Sequence, residues 1–196
     1  GAYDVSMTGG SNTIAGATTF NNLGTVTLGD GGDTINFTGG VIATAPSAIN
    51  LNGTVTAAGV GVITLGDGNT GVAVGGNSTV GGASTGQITM GAATLADNVT
   101  LTVGAGAATP TALGPVSGTA AGGVSENLTI NTTGAVTVSR AVGTDIGTVT
   151  ISQSGGTAFA STVSAATVTI TDTTDAATVA FQGDLTVTTG MTVAAN

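Results

Sequence analysis

The chain has no histidine, no cysteine and no tryptophan, and a single basic side chain, Arg140, in 196 residues. The usual general bases, thiol nucleophiles and cationic oxyanion stabilisers are therefore almost all missing, and no catalytic residue and no enzymatic role is expected. Nucleic-acid binding is not expected either, because one arginine cannot neutralise a phosphate backbone. Attachment to an anionic membrane through a basic patch fails for the same reason. No run of 18 or more apolar residues is free of polar side chains, so no membrane-spanning helix is expected. Gly1 is followed by no basic start and no apolar leader, and a chain that opens without methionine reads as a processed product or as a segment of a longer one. The absence of cysteine suits an exported protein whose stability rests on backbone pairing. Aromatic residues make up only 3% of the chain, too few for a thick core built around rings.

What is present is a strand-forming polymer. Hydrophobic residues amount to 40%, Gly contributes 35 residues, and the mean hydropathy is +0.47, too apolar for a disordered tail. The net charge of −9 comes from ten acids scattered along the chain, with no acidic run. Gly, Thr, Val, Ser and Asn dominate over Leu, Glu, Lys and Arg, which disfavours helix. Apolar residues alternate in short runs such as Val26/Leu28, Ile35/Phe37, Ile49/Leu51, Ile63/Leu65 and Val99/Leu101/Val103, each close to Gly, Asn or Asp.

Internal similarity sets a period. Thr25–Asp33 aligns with Val62–Thr70, placing Leu28 and Leu65 37 residues apart, or two turns of about 18 to 19 residues. In the second half Ile130, Ile151, Ile170 and Val187 end strand-like runs at comparable intervals. The pattern predicts an all-β parallel β-solenoid with coils of about 19 residues, about ten coils stacked at ~4.8 Å into a rod of roughly 50 Å. The rival architecture is a β-sandwich or other antiparallel fold, which also uses short alternating strands. Residues 1–196 read as one elongated β domain, with the Gly/Ala-rich stretch 104–123, bearing Pro110 and Pro115, as a protruding loop or interruption.

Gly29-Asp30-Gly31-Gly32-Asp33 matches most of the nonapeptide of calcium-binding β-rolls, where carboxylates and turn carbonyls on successive coils form an oxygen cage. Asp67, in the second copy Gly66-Asp67-Gly68-Asn69-Thr70, completes a candidate metal set of Asp30, Asp33 and Asp67, with structural Ca²⁺ as the only cofactor in view. The competing reading makes these residues turn formers that bond their own backbone. Asp172 and Asp175 carry the same two readings. Glycoside cleavage needs two facing carboxyl groups, and Glu126 is the sole glutamate among scattered aspartates. Tyr3, Phe20, Phe37, Phe159 and Phe181 read as core or loop plugs, and Arg140 as a surface partner for an acid such as Asp145. Asn36, Asn52, Asn77, Asn98, Asn127 and Asn131 each open an Asn-x-Ser/Thr triplet.

In the segments Thr25–Gly40, Val62–Gly76, Asn127–Val138, Gly147–Ser152 and Ala166–Thr189 the chain resembles bacterial β-strand-repeat surface proteins. These include filamentous-haemagglutinin-like and autotransporter passenger segments and Lys-poor surface-layer proteins. The resemblance implies an extracellular or cell-surface fibre, sheath, surface layer or adhesin stalk. A solenoid also ends in open strand edges, which independently favours self-association into a homopolymer or a longer rod. The leading expectation is thus a self-assembling structural subunit. The alternative is an adhesin module that presents loops such as 104–123 to a surface glycan or protein receptor.

Overall fold

The computed structural model of the chain describes residues 1–119, 123, 125–171, 173–174 and 176–194. Asp172 and Asp175 lie outside the described residues. Among the described residues the regular elements are all β-strands, and every strand pairing is parallel. The fold is a β-solenoid of about 8 turns with about 23 residues per turn.

Each turn contributes to three columns of stacked strands. The first column begins with Val5–Met7 and includes Gly71–Val74, Ala93–Leu95 and Val116–Gly118. The second begins with Ser11–Ile14 and includes Ser78–Val80, Thr100–Val103, Glu126–Asn131 and Ile146–Gln153. Four long strands, Thr25–Phe37, Ala48–Thr56, Val163–Ile170 and Leu185–Val193, run through both, so the two columns form one 13-stranded sheet. The third column, an eight-stranded sheet, runs from Thr18–Thr19 to Val179–Phe181.

Alternation explains the core. Along each strand every second side chain points inward, and parallel register stacks it on its equivalent one turn away. Val26 thus stacks on Ile49, Ile49 on Val72 and Val72 on Ala93. Val26, Leu28, Ile35, Ile49, Leu51, Ile63 and Leu65 are all essentially inaccessible. Each buried Leu or Ile contributes roughly 1.5–3 kcal/mol. The few aromatics close the core near its two ends. Phe20 meets Phe37 edge-on at 6.1 Å, and Phe159 stacks on Phe181 at 5.0 Å. Tyr3, in contrast, is exposed and not a core plug.

The turns between columns are tight, and two glycines show why. Gly29 has φ +84°, and a Cβ there would collide with the Asn52 carbonyl one turn away. Gly61 has an ordinary φ, yet a Cβ would sit 2.8 Å from the Gly40 nitrogen. Both positions reflect stacked backbones too close for a side chain.

Two expectations need correction. The coil is about 23 residues, not about 19. Leu28 pairs within the first column and Leu65 within the third, so their 37-residue offset is one full coil plus part of another. Ile130, Ile151 and Ile170 are true neighbours in the stack, but the residue above Ile170 is Val193; Val187 pairs with Ala165 in the first column. The stretch 104–123 is not a protruding loop over its described length. It holds the strands Thr111–Leu113 and Val116–Gly118, both in register with the turns beside them. Pro110 and Pro115 stand just before these strands, where a missing N–H costs nothing, and their carbonyls accept the Ile88 and Ala93 N–H groups.

Candidate functional site

The three aspartates of the candidate metal set are not brought together. Asp30 and Asp33 share the turn between the first and second columns, where the Asp33 carboxylate accepts the Asp30 N–H at 2.8 Å. Asp67 lies in a different turn, between the third and first columns, and its Oδ1 accepts the Asn69 and Thr70 N–H groups at 2.7 and 2.8 Å. Those two bonds hold the Asp67 carboxyl below the usual carboxylate range. Among the described residues no cluster of three or more His, Cys, Asp or Glu side chains is placed to hold a metal ion. A Ca²⁺ cage does not fit these aspartates: the Asp33 and Asp67 carboxylates bond their local backbone, and the second copy of the motif sits on another side of the rod.

Glu126 is fully buried at the start of its strand. Its Oε2 accepts the Ser125 N–H at 3.1 Å, while Oε1 has no hydrogen-bond partner among the described residues. Gly118 makes room for it, since a Cβ there would sit 2.7 Å from the Glu126 carboxyl carbon.

A groove of about 770 Å³ follows the turn between the third and first columns. Small residues such as Gly66, Gly91 and Gly114 form its floor, and Thr64, Thr89, Ser139, Asp67 and Arg140 line it. Residues 112–115 of the Pro-bearing stretch thus share a surface with the lone cation.

At the end of the rod the last strand, Leu185–Val193, is paired on one side only. Leu185, Met191 and Val193 are 36%, 45% and 63% exposed, although Val163 and Val168, on which Leu185 and Met191 stack, are buried. The third column stops at Val179–Phe181, one strand short of the first two. That shortfall leaves a recess of about 370 Å³ lined by Ile170, Val179, Phe181, Met191 and Val193.

Two ladders of hydroxyl side chains were not found from sequence. The inner one occupies the turn between the second and third columns, with Ser84, Thr109, Thr132 and Ser154 at most 3% exposed. Each is committed to backbone. Ser84 donates to Gly61 and accepts from Gly86. Thr109 donates to Ser84, and Thr132 accepts the Thr109 and Gly134 N–H groups at 3.1 and 3.0 Å. Ser154 accepts from Gly156 and from the Thr157 hydroxyl. The signal in the sequence is a Ser/Thr-x-Gly triplet at Ser84, Thr132 and Ser154, spaced by whole coils.

The outer ladder lies on the second column. Parallel register stacks Ser11, Thr34, Thr54, Thr79, Thr102, Thr129, Thr150, Thr169 and Thr192 one above another without a break. These side chains point outward, and none of the eight threonine hydroxyls bonds to another described residue. Its signal is a recurrent Asn/Thr-x-Thr triplet, hidden because its spacing varies with the turns. The six Asn-x-Ser/Thr triplets fall on this column or at its entry. In comparisons with protein-family models, with curated proteins and with solved structures, the chain matches none.

Proposed function

We propose that the chain is an extracellular structural protein, a subunit or segment of a self-assembling filament, sheath or surface layer whose coils stack head to tail. The observation that carries this reading is the apolar strand edge that the described residues present at the end of the stack, which a further coil of the same kind would cover. The strand edge Leu185–Val193 and the recess beside Phe181 offer unpaired backbone groups and apolar surface to a further coil. The first coil supplies the complementary edge. Val5–Met7 and Ser11–Ile14 open the same two columns that Leu185–Val193 ends, and Val5, Met7, Ile14 and Phe20 are only half-buried. Because every pairing is parallel, a second copy added at this end keeps the strand direction. Such a heterologous contact repeats indefinitely instead of closing.

The test is sedimentation velocity with negative-stain imaging over a concentration series. Polymers are expected from the native chain and monomers from the double variant Met191→Lys, Val193→Lys, which places two charges on the edge. A native chain that stays monomeric at every concentration overturns the reading. One observation favours the alternative of a glycan-binding adhesin module, the groove that joins residues 112–115 to Arg140 beside Thr64, Thr89 and Ser139. On that reading the chain is monomeric, and Arg140→Ala lowers retention on an immobilised glycan array.

A further inference from the structure

We infer that the outer face of the second column is an ice-binding surface, with the threonine ladder from Thr34 to Thr192 as its contact row. Backbone pairing sets the rungs ~4.8 Å apart, and residues two apart on a strand lie ~6.7 Å apart on the same side. The ladder has a partner row at that second spacing. Thr100, Asn127, Thr148 and Thr167 are in register with one another, and the Asn77 side chain below them accepts the Thr100 N–H at 2.8 Å. The result is a two-dimensional lattice of hydroxyl, methyl and amide groups on a rigid backbone, and none of the residues in these two rows is charged.

The other two columns mark this face as distinct. The equivalent outward row is broken by Ala73 in the first column and by Ile42, Ala112, Ala158 and Ala180 in the third. About one residue in five of the chain is threonine. Composition alone therefore does not place eight in succession at one lattice position while breaking the same position on both other faces.

The chemistry of the face selects its ligand. A small molecule engages one or two rungs and has no use for nine. A flat polysaccharide crystal is held by stacking on aromatic rings, and no aromatic side chain lies in either row. Water on a prism plane of ice repeats in two directions at spacings close to those of the rows. Each free hydroxyl donates to or accepts from a lattice water, and each methyl sits between waters. β-Branched threonine is stiff at χ1 and is held further by its ladder neighbours, so little side-chain freedom is lost on contact. Many weak contacts on one rigid array then act together.

The test uses the whole chain with ice as the probe. Thermal hysteresis and ice recrystallisation are measured for the native chain, for Thr102→Tyr in the ladder, and for Thr89→Tyr on the third column. Faceted crystals and arrested recrystallisation are expected with the native chain and with Thr89→Tyr, and loss of both with Thr102→Tyr. If Thr102→Tyr loses its β-sheet circular dichroism, the double variant Thr102→Val, Thr129→Val is read instead, with reduced activity expected. A native chain without activity, ladder variants that keep full activity, or equal loss in Thr89→Tyr overturns the inference. The inference does not rest on self-assembly. The same measurements on the edge-charged monomer Met191→Lys, Val193→Lys separate the two, because one chain carries the whole ladder.

Discussion

The two hydroxyl ladders use the same residue types on the same coils and reach opposite outcomes. In the inner ladder the hydroxyl replaces water for a backbone group that the turn has taken out of its strand pairing. Thr132 accepts the Thr109 and Gly134 N–H groups and donates to the Ala107 and Thr109 carbonyls. In the outer ladder the strands already satisfy their own backbone, so the threonine hydroxyls have no internal task. Within these two ladders a hydroxyl is structural in the turn and free for an outside surface on the outward face of the second column. Position in the coil, not residue type, decides which.

The sharpest way to break that contrast is Thr132→Val, which keeps shape and volume but leaves the Gly134 N–H without an acceptor and takes a hydroxyl partner from the Thr109 N–H and from the Ala107 and Thr109 carbonyls. A loss of about 2–3 kcal/mol is expected, read as a shift of the denaturation midpoint at unchanged slope. A loss under half of this means that water reaches the turn. Ser84→Ala removes one donor and one acceptor from the same ladder, and the expected loss is smaller, about 1–2 kcal/mol. On the outer ladder Thr102→Val is expected to move stability by no more than about 0.5 kcal/mol, because valine suits a strand equally well and no bond is lost. A large destabilisation there would make the outer ladder structural too.

The same distinction separates what was legible in the sequence from what was not. Alternating apolar pairs and Gly-rich punctuation revealed a solenoid, because the inward half of each strand must be apolar wherever it lies. The coil length was misread because the sequence Thr-Leu-Gly-Asp-Gly turns the chain out of two different columns, after Leu28, where the strand Thr25–Phe37 breaks register, and after Leu65, where a strand ends. A local turn solution repeats wherever its geometry recurs, and such recurrence does not mark one coil. Variable turns hid the outer ladder in the same way. Thr54 and Thr79 are stacked neighbours across 25 residues, Thr150 and Thr169 across 19. The aspartates were legible as turn residues and as metal ligands alike, and only the placement of Asp67 in a different turn from Asp30 and Asp33 distinguishes them.

That placement leads to the smallest expected effect. Asp4 and Asp67 are exposed carboxylates that both cap backbone N–H groups. Asp4 accepts the Thr25 N–H at 2.7 Å and the Thr25 hydroxyl at 3.0 Å. These bonds favour the charged form and lower both carboxyls from their ordinary value. A carboxyl whose folded value is depressed contributes stability that is complete above its unfolded value, near 3.8, and is lost as pH falls through the folded value. The melting temperature should therefore hold level from neutral pH down to about pH 4 and fall modestly below it, and the double variant Asp4→Asn, Asp67→Asn should flatten that fall. EDTA at neutral pH should leave the melting temperature of the native chain unchanged, since these carboxylates are engaged by the backbone. A drop on chelation, restored by Ca²⁺ and absent from Asp30→Asn, Asp33→Asn, would show instead that a turn carboxylate on this rod can serve an outside ligand and its own backbone at once.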